Sequence, residues 1–424
     1  MNYLKASKAE LKKELEIQRK RFDDYKAMGL SYNMTRGKPD SAQLALSDEM
    51  LDPKYIGDGK AGETNCKNYG GIDGIDPMKK LFAELMNTNP ENIIVGNNSS
   101  LNMMYDLLMK FMIFGTPAVK KPWCKSEKLK FICPVPGYDR HFLVTESLGF
   151  DLISVPILAD GPDMDMIEKL VAEDEYIKGM WSVPKYSNPT GVVYSDEVVD
   201  RLGRMYTKAE DFTIFWDDAY SVHFFGDEPA KQKSLMKACE EGGHPDRCYT
   251  FMSTSKMTFP GDGVAAMGSS LANIEVVKKW INVQSIGPDK MNQLRHANFL
   301  KDYEHVIEHM RKHAKLLKPK FDVFLETFEE EMGDTGIFTW SKPEGGYFIS
   351  VDTLPGLAKK TVAKCNECGV AFTPAGSTYP YKIDPQDRNI RIAPSFPPYS
   401  QLKDAATILC ICVKICTLEQ LLGI

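Results

Sequence analysis

No uninterrupted run of the roughly 18 apolar residues that a membrane-crossing helix requires occurs in the 424-residue sequence. The first thirty residues, Met1 to Leu30, are too charged for the apolar core of a signal peptide. Both absences predict a cytoplasmic protein without a membrane partner. Basic residues are not in excess either: 52 Lys and Arg stand against 58 Asp and Glu, a net charge of −6. With no long basic block, the chain lacks the clustered cations that hold a phosphate backbone, which argues against nucleic acid as a partner. Ten cysteines in a chain of this length are too sparse for the disulfide framework of a small secreted domain, so reduced thiols are expected. Internal repeats and low-complexity linkers are also missing. What remains is an ordinary globular composition, 43% hydrophobic and 26% charged, long enough for two domains.

From Lys8 to Met28, apolar residues recur among charged ones at a rough helical spacing, and Gly29 follows. This predicts an amphipathic helix lying across another element or subunit. Between Met50 and Gly287, short apolar runs alternate with helical patterns: Asn92–Val95, Leu129–Ile132, Leu152–Val155, Gly179–Val183, Phe212–Trp216, Tyr249–Met252 and Val264–Met267. That alternation predicts an α/β fold, a mostly parallel sheet sandwiched by helices. The segment Asn298 to Met332 reads as a long bridging helix. Beyond it, Gly346–Ser350, Val370–Phe372 and Asn389–Ile392 suggest strands, and a terminal helix begins near Ser400.

Four polar segments follow predicted strands, where ligand sites of open α/β sheets collect. They are Gly96-Asn97-Asn98-Ser99-Ser100-Leu101, Ser187-Asn188-Pro189-Thr190-Gly191, Asp217-Asp218-Ala219-Tyr220 and Ser253-Thr254-Ser255-Lys256. Small polar residues opening a helix present N–H groups and hydroxyls to a phosphate. A carboxylate can keep a ring nitrogen protonated, and a lysine can form a Schiff base. Together these groups describe a site for pyridoxal 5'-phosphate.

The ordered set, SNPTG, then D-x-x-Y, then S-x-x-K, resembles the class I and II aminotransferases of pyridoxal-phosphate fold type I, and the likeness extends from Gly37 to Arg391. The resemblance implies that Lys256 carries the cofactor and shuttles a proton, that Asp217 pairs with the ring nitrogen, and that Tyr220 and Asn188 bond its phenolic oxygen, Asn188 also reaching the substrate carboxylate. It further implies Tyr138 against the ring, and Ser99, Ser100, Ser253 and the N–H of Leu101 at the phosphate. Arg391 is implied to clamp the substrate α-carboxylate, and Gly37 to close over the substrate. Tyr69 is implied to reach the phosphate of a neighbouring subunit, so a homodimer with shared active sites is expected. In this reading residues 50–297 form the large cofactor domain. Residues 1–49 and 298–424 form a smaller α+β domain from both chain ends.

Two features depart from the family pattern. Many members have an arginine shortly after the lysine to neutralise the phosphate, whereas this chain has Gly263 near that place. The segment Val283 to Arg295 also lacks a clear equivalent of the arginine that selects a dicarboxylate; Lys290, Arg295, Arg36 and Lys38 are the candidates. Thr35-Arg36-Gly37-Lys38-Pro39 and the Ser285–His296 segment look most like a divergent aspartate aminotransferase subgroup, which points to aspartate and 2-oxoglutarate as substrates. A β-lyase or decarboxylase of the same fold, and a non-catalytic sensor, are the alternatives. Outside this set, His305-Val306-Ile307-Glu308-His309 fits a short zinc-peptidase pattern, with His313 on the same face, but a solvated helix face is the expected reading. The Cys365–Cys368 pair and Cys410, Cys412 and Cys416 are expected to be buried thiols and not a metal site.

Overall fold

Apolar segments that sheet and helices cover on both sides carry no polar alternation, and the central strands here are of that kind. The computed structural model describes residues 1–424. Its main sheet is built from β1 (Ile93–Val95), β2 (Lys130–Val135), β3 (Asp151–Leu158), β4 (Gly161–Pro162), β5 (Ile177–Ser182), β6 (Thr213–Asp217), β7 (Cys248–Ser253) and β8 (Ala265–Gly268). Their order across the sheet is β1-β8-β7-β6-β5-β2-β3-β4. Neighbours from β7 to β3 are parallel, while β8 runs antiparallel to both β7 and β1, and β4 turns back on β3. Every residue of β6 and β7 is buried. The predicted α/β architecture with a mostly parallel sheet is therefore the one observed.

Six helices position the residues discussed below: α1 (Lys8–Ala27), α2 (Ser100–Phe114), α3 (Asp139–Ser147), α4 (Lys290–Leu300), α5 (Tyr303–Met332) and α6 (Leu402–Leu422). The helix expected over Asn298 to Met332 instead joins the last turn of α4 to α5 across a break. They are separate because Lys301 takes a positive φ of 58° and Asp302 caps the new helix through the His305 N–H. The first half of α5 (Val306, Ile307, Met310, Leu317) packs with Met257, Tyr220 and Tyr347 beside the main sheet. Its second half (Phe321, Phe324, Phe328, Met332) joins a core shared with Leu11, Leu15 and Phe22 of α1 and the apolar face of α6. One hydrophobic cluster thus draws on both chain ends, together with the antiparallel strands β9 (Phe338–Trp340), β10 (Ile349–Thr353) and β11 (Asn389–Ile392).

Helix α6 is apolar enough, and with its preceding turn long enough, to cross a membrane by length and composition, yet 78% of its apolar window is buried inside the protein. Its one lysine after Lys403, Lys414, is buried and meets Glu331 of α5 at 2.6 Å. Cys410, Cys412 and Cys416 face this interior, and all ten cysteines are unpaired thiols.

Candidate active site

The parallel register sets the site. Asp217, the last residue of β6, lies opposite Phe251 of β7, so the carboxylate and the Ser253–Lys256 turn emerge side by side at the carboxyl edge of the sheet. Asp217 is buried, and its Oδ2 lies 2.9 Å from His141 Nε2 on α3. Its Oδ1 is buried with no partner. His141 stacks on Trp181 at 4.4 Å and 10°, and the Tyr138 ring meets it edge-on at 4.9 Å. This histidine escaped the sequence reading; its one signal was its place in the first turn of the helix after Tyr138. Loss of hydration raises the Tyr138 hydroxyl to about 12, and the Asp217 and Asp139 carboxylates push the same way. Asp218 also ends buried, its carboxyl raised to about 6 by burial while Lys185 opposes the shift.

Lys256 sits in a tight turn in which the N–H groups of Met257 and Thr258 both donate to the Thr254 carbonyl at 2.9 Å. Its ammonium lies 4.9 Å from the centre of the Tyr220 ring and 6.0 Å from that of Tyr347. Loss of hydration pulls its pKa below the usual lysine value, with Asp217 opposing. Tyr220 is buried, and burial raises its hydroxyl well above the ordinary value, with Tyr138 and Asp217 adding to the rise. His223, also missed in the sequence, packs edge-on against Tyr347 and has neither ring nitrogen partnered.

Asn188 brings a buried amide whose Nδ2 has no partner and whose Oδ1 accepts from Arg391 Nη1 at 3.4 Å. Arg391, on β11, also donates from Nη1 to Asp139 Oδ1 at 3.0 Å and lies 5.0 Å over the Phe348 ring. Its Nε is buried and unpartnered. Gly37 lies against the same phenylalanine: a Cβ there would come within 2.2 Å of the Phe348 Cζ, so only glycine fits this approach without a shift. The predicted set Lys256, Asp217, Tyr220, Tyr138, Asn188, Arg391 and Gly37 is therefore gathered in one place, linked through His141, Asp139 and Phe348.

Ser99 caps α2, its Oγ accepting from the Asn102 N–H at 3.3 Å, and Ser100 and Leu101 begin the helix. Ser253 Oγ donates to Ser255 Oγ at 3.1 Å, and Ser255 Oγ reaches the Asn98 carbonyl at 3.4 Å, which ties the two polar loops together. Tyr69 stands apart, 81% exposed on a loop that Lys290 holds through its ammonium on the Gly70 carbonyl at 2.6 Å. Arg295 pairs with Asp262, and Asn292 Nδ2 holds the Gly263 carbonyl at 3.0 Å, so a guanidinium stands beside the turn where the family arginine is missing. Lys38 covers the Phe396 ring at 4.2 Å. Arg36 is exposed.

The expected solvated face on α5 is only partly observed. His305 is exposed and bonded to Asp302 at 2.7 Å, whereas His309 and His313 are buried. The sequence window places them among charges, but the helix turns them inward onto the Met257 carbonyl.

The family described as aspartate amino-transferase matches residues 5–424. An aspartate aminotransferase of Corynebacterium glutamicum is 44% identical over 406 residues, covering 96% of this chain and 94% of that protein. The crystal structure of an aspartate transaminase from the same species superposes with a TM-score of 0.97 at 42% identity, over 99% of each chain. The α-aminoadipate aminotransferase of Thermus thermophilus, solved with N-(5'-phosphopyridoxyl)-L-leucine, shares the fold, with a TM-score of 0.74 at 20% identity over 99% of this chain and 97% of that one. The whole-length match and the 44% identity over nearly all of the chain have one reading: this chain is an aminotransferase and belongs to the aspartate aminotransferase family, of pyridoxal-phosphate fold type I.

Proposed function

We propose that the chain moves the amino group of aspartate to 2-oxoglutarate, using pyridoxal phosphate held at this site by Lys256. The substrate rests on the likeness to an aspartate aminotransferase, and the observation that carries the cofactor is Asp217: a buried carboxylate with one oxygen fixed by His141 and the other left without a partner. An unpaired buried acceptor costs about 1–3 kcal/mol, and a protonated ring nitrogen is a donor that would relieve it. The unpartnered Asn188 Nδ2 is a donor suited to a phenolic oxygen. Acceptor and donor both complement the cofactor, so the residues fit it.

When bound, pyridoxal phosphate supplies an electron sink for the pair left at Cα on deprotonation. The protein does the rest. Asp217, oriented by His141, keeps the ring nitrogen protonated. Lys256, whose amine burial makes easier to deprotonate, takes the proton from the substrate Cα and returns it on the far side of the transfer. Arg391 offers its fork to the α-carboxylate and gives up Asp139 as it does so. Asn188 and Tyr220 hold the phenolic oxygen, and Tyr138 covers the ring. Ser99, Ser100, the Leu101 N–H and Ser253 receive the phosphate at the N-terminus of α2. Tyr69, exposed beside the Ser285–Lys290 loop, is assigned to the phosphate of a second copy, which makes the working unit a homodimer.

Borohydride treatment of the purified protein followed by peptide mapping should place the cofactor on Lys256. Addition of aspartate should then convert the cofactor spectrum to the amine form, and 2-oxoglutarate should reverse it. A Lys256→Ala variant that retained the full cycle would sink this assignment.

A further inference from the structure

Beneath Lys256 lies a polar cluster that the reaction scheme above does not use. His309 and His313 project from α5 under the turn that follows the lysine. His309 Nε2 lies 2.8 Å and His313 Nε2 3.0 Å from the same atom, the Met257 carbonyl oxygen. A carbonyl has no proton to give, so each ring must donate, which places the proton on Nε2 in both; the two Nε2 atoms, 3.3 Å apart, then do not bond each other, and Ser47 Oγ, 3.3 Å from His309 Nε2, can only accept there. His313 Nδ1 is then an acceptor, and Gln43 Nε2 stands 3.3 Å from it. The same amide donates to the Tyr347 hydroxyl at 2.9 Å, and Ser47 Oγ reaches the Met257 carbonyl at 3.4 Å. One residue further, Thr258 Oγ1 meets His296 Nε2 at 3.0 Å. The turn that carries Lys256 is thus held from below at Met257 and at Thr258.

This donor pattern requires neutral rings. Burial, and after it His309, lower His313 to about 3, with the Met257 carbonyl and Asp40 opposing. His309 is also lowered by burial, with the Met257 carbonyl opposing and Lys312 adding to the shift. A second proton on His313 would aim Nδ1–H at the Gln43 amide hydrogens, a donor against a donor.

We propose that His309 and His313 are positioning residues: as paired Nε2–H donors to the Met257 carbonyl, they fix the backbone that aims the Lys256 amine between Tyr220 and Tyr347. The proposal rests on Lys256 being the residue that carries the cofactor. Two substitutions separate reach from polarity. Gln at either position can still bring an amide N–H to the carbonyl, whereas Asn is polar but too short.

In the holoenzyme, His313→Asn and His309→Asn are expected to lower kcat about tenfold or more, with KM changed less than about twofold, because small misplacements of a reacting group cost rate and not binding. The pH midpoint of the absorbance of the Lys256-bound cofactor should move by about half a unit or more, since that midpoint reports the surroundings of the lysine nitrogen. His313→Gln and His309→Gln should restore both values. In cofactor-free protein, hydrogen exchange across residues 254–259 should speed up in the Asn variants and return to the wild-type rate in the Gln variants. Asn variants that match the wild type in midpoint, kcat and exchange would overturn the proposal. So would Asn and Gln variants equally impaired, which would mark the histidines as packing alone. If borohydride fails to fix the cofactor to Lys256 in the wild type, the reading of the site fails separately. Exchange in the cofactor-free protein still decides whether the clamp exists.

Discussion

At Asp217, burial, an oriented partner and an open lone pair meet in one side chain. The D-x-x-Y motif and the apolar run before it made this aspartate legible in the sequence, because a carboxylate ending five buried positions needs a reason to be there. Its partner His141 was not legible, since nothing in a helix start announces which strand end a ring will reach. The structure ties the two, and their loss should follow the same pattern. Asp217→Ala is expected to lower kcat by at least about 100-fold, the scale of a lost acid–base or charge-stabilising group. His141→Leu should lower it less, because the carboxylate remains but loses its orientation. Steady-state kinetics on both variants and the double mutant check this. The double mutant should be no worse than Asp217→Ala, since His141 acts through that carboxylate.

Among the elements, the strands were the most legible, because β6 and β7 are buried along their whole length and apolar residues dominate both. The break between α4 and α5 was not, since Lys301 and Asp302 are ordinary surface residues whose effect lies in a backbone angle and a cap. The N-terminal segment around Gly37 was placed at the site by its motif alone, and its contact with Phe348 emerged only on folding. That contact yields a prediction at this scale. Gly37→Ala must push Phe348 out from beneath Arg391, and the guanidinium loses the ring that supports it. The expected result is a rise in KM for both the amino acid and the oxo acid of about tenfold, the scale of one weakened charge-assisted contact, with a smaller change in kcat. Equal KM values for wild type and variant would show that the ring is not part of the carboxylate grip.

For the molecule as a whole, one polar junction in the terminal core joins three helices. Glu331 of α5 accepts from Arg21 of α1 at 2.6 Å and from Lys414 of α6 at 2.6 Å. Burial alone would raise its carboxyl, but these hydrogen bonds outweigh burial and hold it at about 2, against an ordinary 4.5. The folded value is the depressed one, so the stability from this group is fully present above pH 4.5 and is lost as pH falls from there through about 2. Glu331→Gln should cost about 2–4 kcal/mol at pH 7, much of it from leaving Lys414 buried and unpaired. The difference in Tm between wild type and variant should shrink below pH 4.5, and a constant difference down to pH 2 would refute the assignment. No sequence pattern announced this junction, because its three members lie 310 and 83 positions apart in the chain.

One helix, α5, spans both bodies of packing, and Pro319 sits inside it between Leu317, which belongs to the core beside the main sheet, and Phe321, which belongs to the terminal core. A proline in a helix interior lacks the N–H that would tie it to the preceding turn and weakens the rod at that level. The hydrogen-bond ladder of α5 is thus interrupted at the changeover between the two cores. Flexing there would carry α1, α6 and Arg391 together as one body, while His309 and His313 stayed behind with Lys256.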